Sequence, residues 1–186
     1  MTVPETPFET NFYSVPIAQT WIHLFLHLYA ISHYDIGHFI ELGSFKGGTL
    51  SVLLPKILMQ ELSYTGVEIE KNSLDQRLTR FLSSRAVIIE GDDFSTEVQG
   101  RVREAIASSP KPVLIFCDGG NKRNEIKIYS QFLRTGDYIC VHDFFIKEGG
   151  DINEVDIQFL KDDPSFEEVD TQYRHFDGGL PMWRKK

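Results

Sequence analysis

Cysteine is almost missing from this chain. Its two residues, Cys117 and Cys140, each sit inside an apolar run. They cannot form a disulfide framework of the secreted kind, and read as small buried hydrophobes in a reducing, cytoplasmic setting. Long apolar runs are also lacking. The densest, residues 21–31, is short and carries His23 and His27, so no membrane span is expected. The first residues hold Glu5 and Glu9 and no basic leader, which does not suit a signal peptide. Positive charge is scarce: 19 Lys and Arg face 27 Asp and Glu, for a formal net charge of -8. That balance argues against nucleic acid, whose phosphates need clustered basic side chains. Neither G-x-G-x-x-G nor a P-loop Gly-Lys-Ser/Thr occurs, so no turn is built to cradle a pyrophosphate. Internal repeats and low-complexity linkers are absent too.

What remains describes one α/β domain. The 186 residues suffice for a single domain over 1–186, with a Pro- and Thr-rich N-terminal arm over 1–16, and 41% hydrophobic content supplies a core. A helix over 21–31, apolar over most of its surface, is expected to be largely buried. Strands are expected at His38–Leu42, 64–68, Ala86–Glu90, Val113–Cys117 and Tyr138–Val141. Between them the apolar spacing predicts helices over 49–62, 73–82 with Ser73 as N-cap, 98–107 and 125–133. Pro55 falls inside the first of these and should kink it. A short helix over 155–160, two strands over 166–171 and 173–176, and a basic tail, Trp183-Arg184-Lys185-Lys186, complete the reading. Regular alternation predicts a Rossmann-like, doubly wound, mostly parallel sheet with helices on both faces and an antiparallel C-terminal strand pair.

The strand ends carry the chemistry. His38-Phe39-Ile40-Glu41-Leu42-Gly43-Ser44-Phe45-Lys46-Gly47-Gly48-Thr49 is an apolar strand, an acid and a glycine turn, which lets backbone approach a small group closely. A plain tight βα turn is the alternative. Glu41 can accept a bond from an ammonium or from a bridging water. Glu68, closing the second strand, can accept both hydroxyl hydrogens of a ribose, whereas Glu70 suits a helix start. At the third strand end, Asp92 or Asp93 can accept from an adenine amine with Phe94 against the ring; the alternative for each is helix capping.

These residues resemble class I S-adenosylmethionine-dependent methyltransferases: Glu41-x-Gly43, Glu68, Gly91-Asp92 and Asp118 fall at successive strand ends. More narrowly, Glu41 to Thr49 is similar to the small-molecule O-methyltransferases grouped with the cephalosporin hydroxylase-like proteins. So are Ile115-Phe116-Cys117-Asp118-Gly119-Gly120 and the run from Thr135 to Asp143. The resemblance implies that Glu41, Gly43 and the turn with Ser44, Gly47 and Gly48 hold the methionine end. It implies that Glu68 holds the ribose, Asp92 and Phe94 frame the adenine, and Asp118 borders the cofactor. Through the catechol O-methyltransferase branch it also implies a divalent cation, Mg²⁺ or Mn²⁺, on Asp118, His142 and Asp143. Two carboxylates at converging strand ends repel unless a cation or proton lies between them.

The chain departs from that pattern twice. His142 stands where relatives often carry an acid, and imidazole suits Mn, Fe or Zn better than Mg²⁺; it is a ligand or a general base. Asn121 stands where a histidine is common, and Lys122 beside it becomes a candidate base if its pKa is lowered; a solvated lysine at a helix start is the alternative. His23 and His27 have metal-capable i, i+4 spacing but no third ligand, so core or surface histidines are expected. By resemblance alone, Trp21 and Phe25 line a substrate pocket. The expected function is O-methylation of a small-molecule hydroxyl. A non-catalytic binding module and a dinucleotide-dependent oxidoreductase are the rivals. A homodimer is compatible with the sequence, which does not encode the acceptor.

Overall fold

The structure, a computed structural model, describes residues 11–12, 14–17, 19–70, 73–145, 151–169 and 179–186. In chain order the elements are β1 (Asn11–Phe12), β2 (Val15–Pro16), α1 (Trp21–His33), β3 (His38–Leu42), α2 (Gly48–Leu58) and β4 (Ser63–Glu68). Next come α3 (Gln76–Thr79), β5 (Ala86–Glu90), α4 (Thr96–Ser108), β6 (Val113–Cys117), α5 (Lys122–Tyr129) and β7 (Tyr138–Val141). Then follow β8 (Phe144–Phe145), β9 (Ile152–Asn153), α6 (Gln158–Asp162), β10 (Phe166–Val169) and β11 (Met182–Lys185).

Seven strands form one sheet in the order β10-β11-β7-β6-β3-β4-β5. The five from β5 to β7 are parallel, whereas β11 runs antiparallel to both β7 and β10. The expected mostly parallel, doubly wound sheet with an antiparallel C-terminal pair is therefore what forms. Strand order reverses between β3 and β6, and ligands of such sheets bind at the carboxyl ends beside that point.

Period-two alternation sorts the core into two layers. Phe39, Tyr64, Phe116, Tyr138 and Cys140 pack with α1, α2 and α3 on one face. Ile40, Leu42, Ile115, Cys117, Ile139 and Val141 pack with α4, α5 and α6 on the other. Both cysteines are buried free thiols, and burial holds both above the usual thiol range.

The structure revises several element boundaries. Helix α2 stops at Leu58, three residues past Pro55, and Gln60 turns left-handed at φ 63°. Helix α3 is a single turn capped by Asp75, whose side chain accepts from the Arg77 N–H, and Ser73 lies outside it. Helix α5 begins at Lys122 and passes into a 3₁₀ turn over Ser130–Phe132. The basic tail is a strand: Trp183 is buried in the α4/α5/α6 layer and Met182 in the other, as alternation demands. It is β11 that partners β10, while 173–176 lies outside the described residues. Finally, α1 is not buried all round. Trp21, Ile22 and Phe25 are 49%, 42% and 65% exposed, while His23, Leu24, Leu26 and His27 face inward.

Candidate cofactor and cation site

Ladder bonds continue past the strand ends and set three loops side by side. Gly43 and Ser44 N–H groups donate to Val67 O at 3.0 and 3.1 Å. Asp118 N–H donates to Leu42 O at 3.1 Å, and His142 N–H to Cys117 O at 3.0 Å. Gly43, at φ 85°, lets the first two loops touch: a Cβ there would lie 2.7 Å from Asp118 O and from Gly119 Cα. The cleft that opens here is lined by Gly43, Phe45, Val67, Glu68, Ile69, Gly91, Asp93, Asp118, Gly119 and Gly120. A larger hollow near His38 and Lys111 lies at the amino ends of the strands, away from this chemistry.

Glu68 stands at the cleft rim, where its Oε2 accepts from the Phe45 N–H at 2.6 Å. Phe45 and Ile69 are 44% and 69% exposed beside it, apolar walls that the sequence reading did not single out. At the third strand end it is Asp93 that lines the cleft, and its Oδ2 is buried with no hydrogen-bond partner among the described residues. Burial, then the neighbouring Asp92, pushes Asp93 up to about 6. Asp92 is exposed and caps the Phe94 N–H at 2.9 Å. Phe94 is half-buried and not among the lining residues.

Glu41 lies behind the cleft wall. It is buried, takes hydrogen bonds from the Tyr64 and Thr49 hydroxyls, and is pushed by burial up to about 8. Tyr64 OH also reaches Ser44 Oγ at 3.2 Å. Gly47 supplies the left-handed N-cap of α2 and packs on Leu74 and Leu78. Gly48 admits the N-terminal hairpin, for a Cβ there would lie 2.7 Å from Ile17 Cα. Both glycines thus have packing reasons as well as the cofactor role expected of them.

The second cluster comes from the β6 and β7 ends. Cys117 pairs with Val141, so Asp118 and His142 follow in register and point to the α1 side of the sheet with Phe116 and Cys140. His142 Nδ1 lies 2.8 Å from Asp118 Oδ1 and 3.3 Å from Asp143 Oδ2. Asp143 is left-handed at φ 54°, which turns its carboxylate back toward the ring. One ligand atom from each of Asp118, His142 and Asp143 falls within 4.8 Å of the others.

Lys122 is drawn into the same cluster. Its Nζ lies 3.8, 3.4 and 3.5 Å from the carboxylates of Asp118, Asp143 and Asp151, and donates to Gly119 O. Burial pulls its pKa down, but the three carboxylates outweigh burial and raise it. A base needs the opposite, so these surroundings do not favour the base role expected of Lys122. Burial likewise opposes protonation of His142, yet Asp118 and Asp143 lift it to about 9. For Asp143 burial raises the pKa, and His142 and Lys122 together bring it down to about 2.

Two side chains at the site, Glu125 and Gln19, escaped the sequence reading, and a third, His23, was expected there only as a core or surface histidine. Glu125, fully buried, accepts from the Gly119 and Asn121 N–H groups at 3.1 and 3.0 Å and so ties down the loop that carries Asp118. Burial pushes it up to about 7. Its position four residues after the N-cap Asn121 was the available signal. Gln19 donates through Nε2 to Asp118 Oδ2, and its own Oε1 is buried without a partner among the described residues. His23 Nδ1 lies 3.0 Å from His142 Nε2. Only contacts distant in sequence disclose these last two. Trp21 and Phe25 are not among the residues that line the cleft.

The sequence matches the family described as Rhamnosyl O-methyltransferase/CmcI over residues 6–176. This chain belongs to that family. It is accordingly an S-adenosylmethionine-dependent O-methyltransferase. Among solved structures, apo CmcI in its N160 form covers 96% of this chain and 76% of its own, at 12% identity and a TM-score of 0.71. CmcI in its D160 form with Mg and SAM covers 96% and 77%, at 12% identity and a TM-score of 0.64. The SAH-bound Podospora anserina methyltransferase PaMTH1 covers 90% and 80%, at 12% identity and a TM-score of 0.61. At such identities these likenesses are of fold. No curated protein matches the sequence.

The cleft fits the cofactor class, since it presents a close backbone approach at Gly43, a rim carboxylate and an orphaned buried oxygen on Asp93. The cation cluster fits too: one imidazole nitrogen and two carboxylates are a borderline donor set, and the buried Gln19 Oε1 beside them lacks a partner among the described residues. A cation entering it must displace the His142 proton and share the carboxylates with Lys122.

Proposed function

We propose that the enzyme methylates a hydroxyl of a small acceptor beside a divalent cation held by Asp118, His142 and Asp143. The observation that carries this reading is the junction at one crevice of the Gly43–Glu68–Asp93 cleft with three ligand atoms within 4.8 Å of one another. Asp118 borders both. When bound, S-adenosylmethionine supplies an electrophilic methyl and the cation lowers the pKa of the acceptor hydroxyl.

The chain's own groups then align the reactants, which is most of the work in an in-line displacement. Glu68 accepts the ribose hydroxyls. Asp93 Oδ2, rather than Asp92, accepts from the adenine amine, between the apolar walls of Phe45 and Ile69. The backbone at Gly43 and Gly119 leaves room for the methionine end, and Glu41 shapes that end from behind through Tyr64 and Thr49. Lys122 keeps its proton and offsets the charge of Asp118 and Asp143, while Glu125 fixes the loop between them. The imidazole favours Mn²⁺ over Mg²⁺. A cytoplasmic setting and a two-copy assembly belong to the same reading.

Calorimetric titration of S-adenosylhomocysteine into chelator-treated protein, repeated with Mg²⁺ and Mn²⁺, tests it. Micromolar affinity, with a cation effect larger for Mn²⁺, is expected. Absence of binding under every condition would reject the cleft assignment and favour a non-catalytic module.

A further inference from the structure

Beyond the ligands themselves, the start of α1 supports the cluster from the side of the sheet that Asp118 and His142 face. Thr20 caps α1 by accepting the His23 N–H, which fixes the backbone from which the His23 ring projects. That ring meets His142 edge-on, with centroids 4.7 Å apart and planes at 86°. His23 and His142 are both buried, so bulk water does not mediate between them.

A nitrogen-to-nitrogen contact of 3.0 Å holds one hydrogen, so one ring donates and the other accepts. His142 Nδ1 faces Asp118 and Asp143. If Nδ1 is to offer a lone pair to a cation between those carboxylates, the hydrogen of the neutral ring must sit on Nε2. If His142 is instead protonated and donates to the carboxylates, Nε2 carries a hydrogen as well. In both states Nε2–H of His142 is the donor, and its partner is Nδ1 of His23. We propose that His23 is a positioning residue: its bare Nδ1 accepts the Nε2–H of His142 and so keeps Nδ1 of His142 aimed at the cation position. The inference rests on the cation site proposed above. A metal-bound histidine generally hands its second N–H to an outer acceptor, and loss of that acceptor weakens metal binding. Here the acceptor is a neutral ring, which orients His142 without adding a third negative group to the site.

The test uses the full chain. Mn²⁺ is titrated calorimetrically into chelator-treated wild type, His23→Ala and His23→Asn, and S-adenosylhomocysteine into the same three. His23→Ala should weaken Mn²⁺ binding by about 10–100-fold while leaving S-adenosylhomocysteine affinity within about twofold. His23→Asn, whose amide oxygen can occupy the Nδ1 position, should recover most of the loss. Wild-type Mn²⁺ affinity in His23→Ala, or no recovery in a folded His23→Asn, would overturn the proposal. Long-range ¹⁵N–¹H correlation spectra of the chelator-treated wild type give a second readout: His23 should be the Nε2–H tautomer with Nδ1 bare. A hydrogen on Nδ1 of His23 would overturn the proposal independently. A wild type that takes up no Mn²⁺ would instead reject the cation site, and the tautomer would still decide the role of His23.

Discussion

On the cofactor side of the crevice the chain offers backbone, two carboxylates and two exposed apolar side chains, all within short stretches at the ends of β3, β4 and β5. On the cation side it offers charged side chains gathered from the ends of β6 and β7, the start of α5, Asp151 and the N-terminal segment. The first half needs few long-range side-chain contacts, because ladder bonds between parallel strands already place it. The second is a packed electrostatic cluster in which each group's charge depends on its neighbours. A backbone-built site tolerates change around it, whereas a charge cluster is perturbed by loss of any member.

The two halves should therefore separate under mutation. The largest effect is expected from Asp118→Ala, which should abolish turnover while leaving S-adenosylhomocysteine affinity within a few fold, as read by a methyl-transfer assay and calorimetry. Normal turnover would break the cation half of the comparison. Glu68→Ala should do the reverse. Losing charge-assisted bonds of about 1.5–3 kcal/mol should weaken S-adenosylhomocysteine by roughly 10–100-fold, with Mn²⁺ affinity unchanged.

Next comes pH. A cation must displace the His142 proton, so Mn²⁺ affinity should rise by roughly tenfold per pH unit up to the His142 pKa. That value is about 9 in the folded protein against an ordinary 6.5, so the stability His142 contributes is complete below 6.5 and lost by about 9. Asp143 has the opposite sign: its contribution is present above 3.8 and lost as pH falls toward about 2. Melting of the chelated protein between pH 6.5 and 9 should show a downward slope that His142→Asn reduces. Glu41, raised from 4.5 to about 8, adds decline of the same sign below its own value and is not expected to change in that variant.

The smallest effect sharpens the cofactor half. Gly43→Ala places a Cβ 2.7 Å from the Asp118 loop at φ 85°, and should cost about 1–3 kcal/mol. For a chain of this size that is roughly 2–4 °C in Tm per kcal/mol. Because the clash is with the Asp118–Gly119 backbone, S-adenosylhomocysteine and Mn²⁺ affinity should fall together, whereas Glu68→Ala is expected to lower only the first and His23→Ala only the second.

The strands of the parallel sheet were legible because each is a short β-rich run between turn residues, and His38–Leu42, Ala86–Glu90, Val113–Cys117 and Tyr138–Val141 form where the pattern places them. Less legible were elements whose state depends on neighbours. The Trp183 strand reads as a tail until β7 and β10 are there to pair with it. The outer face of α1 reads as core because apolarity alone does not say which side meets the sheet. Acid positions at the strand ends were readable as positions. Which of Asp92 and Asp93 enters the cleft was not, since that depends on one backbone turn.

Local pattern alone thus determined the sheet's parallel core, the glycine turn after β3 and the strand ends at which acids would gather, because hydrophobic period and turn chemistry act over a few residues. Only the tertiary structure decided what those acids meet. It placed Lys122 among three carboxylates, tied Glu125 to the Asp118 loop and brought Gln19 and His23 onto Asp118 and His142. Each of these outcomes depends on burial and on distances between groups far apart in the chain, and a protonation state has no local code.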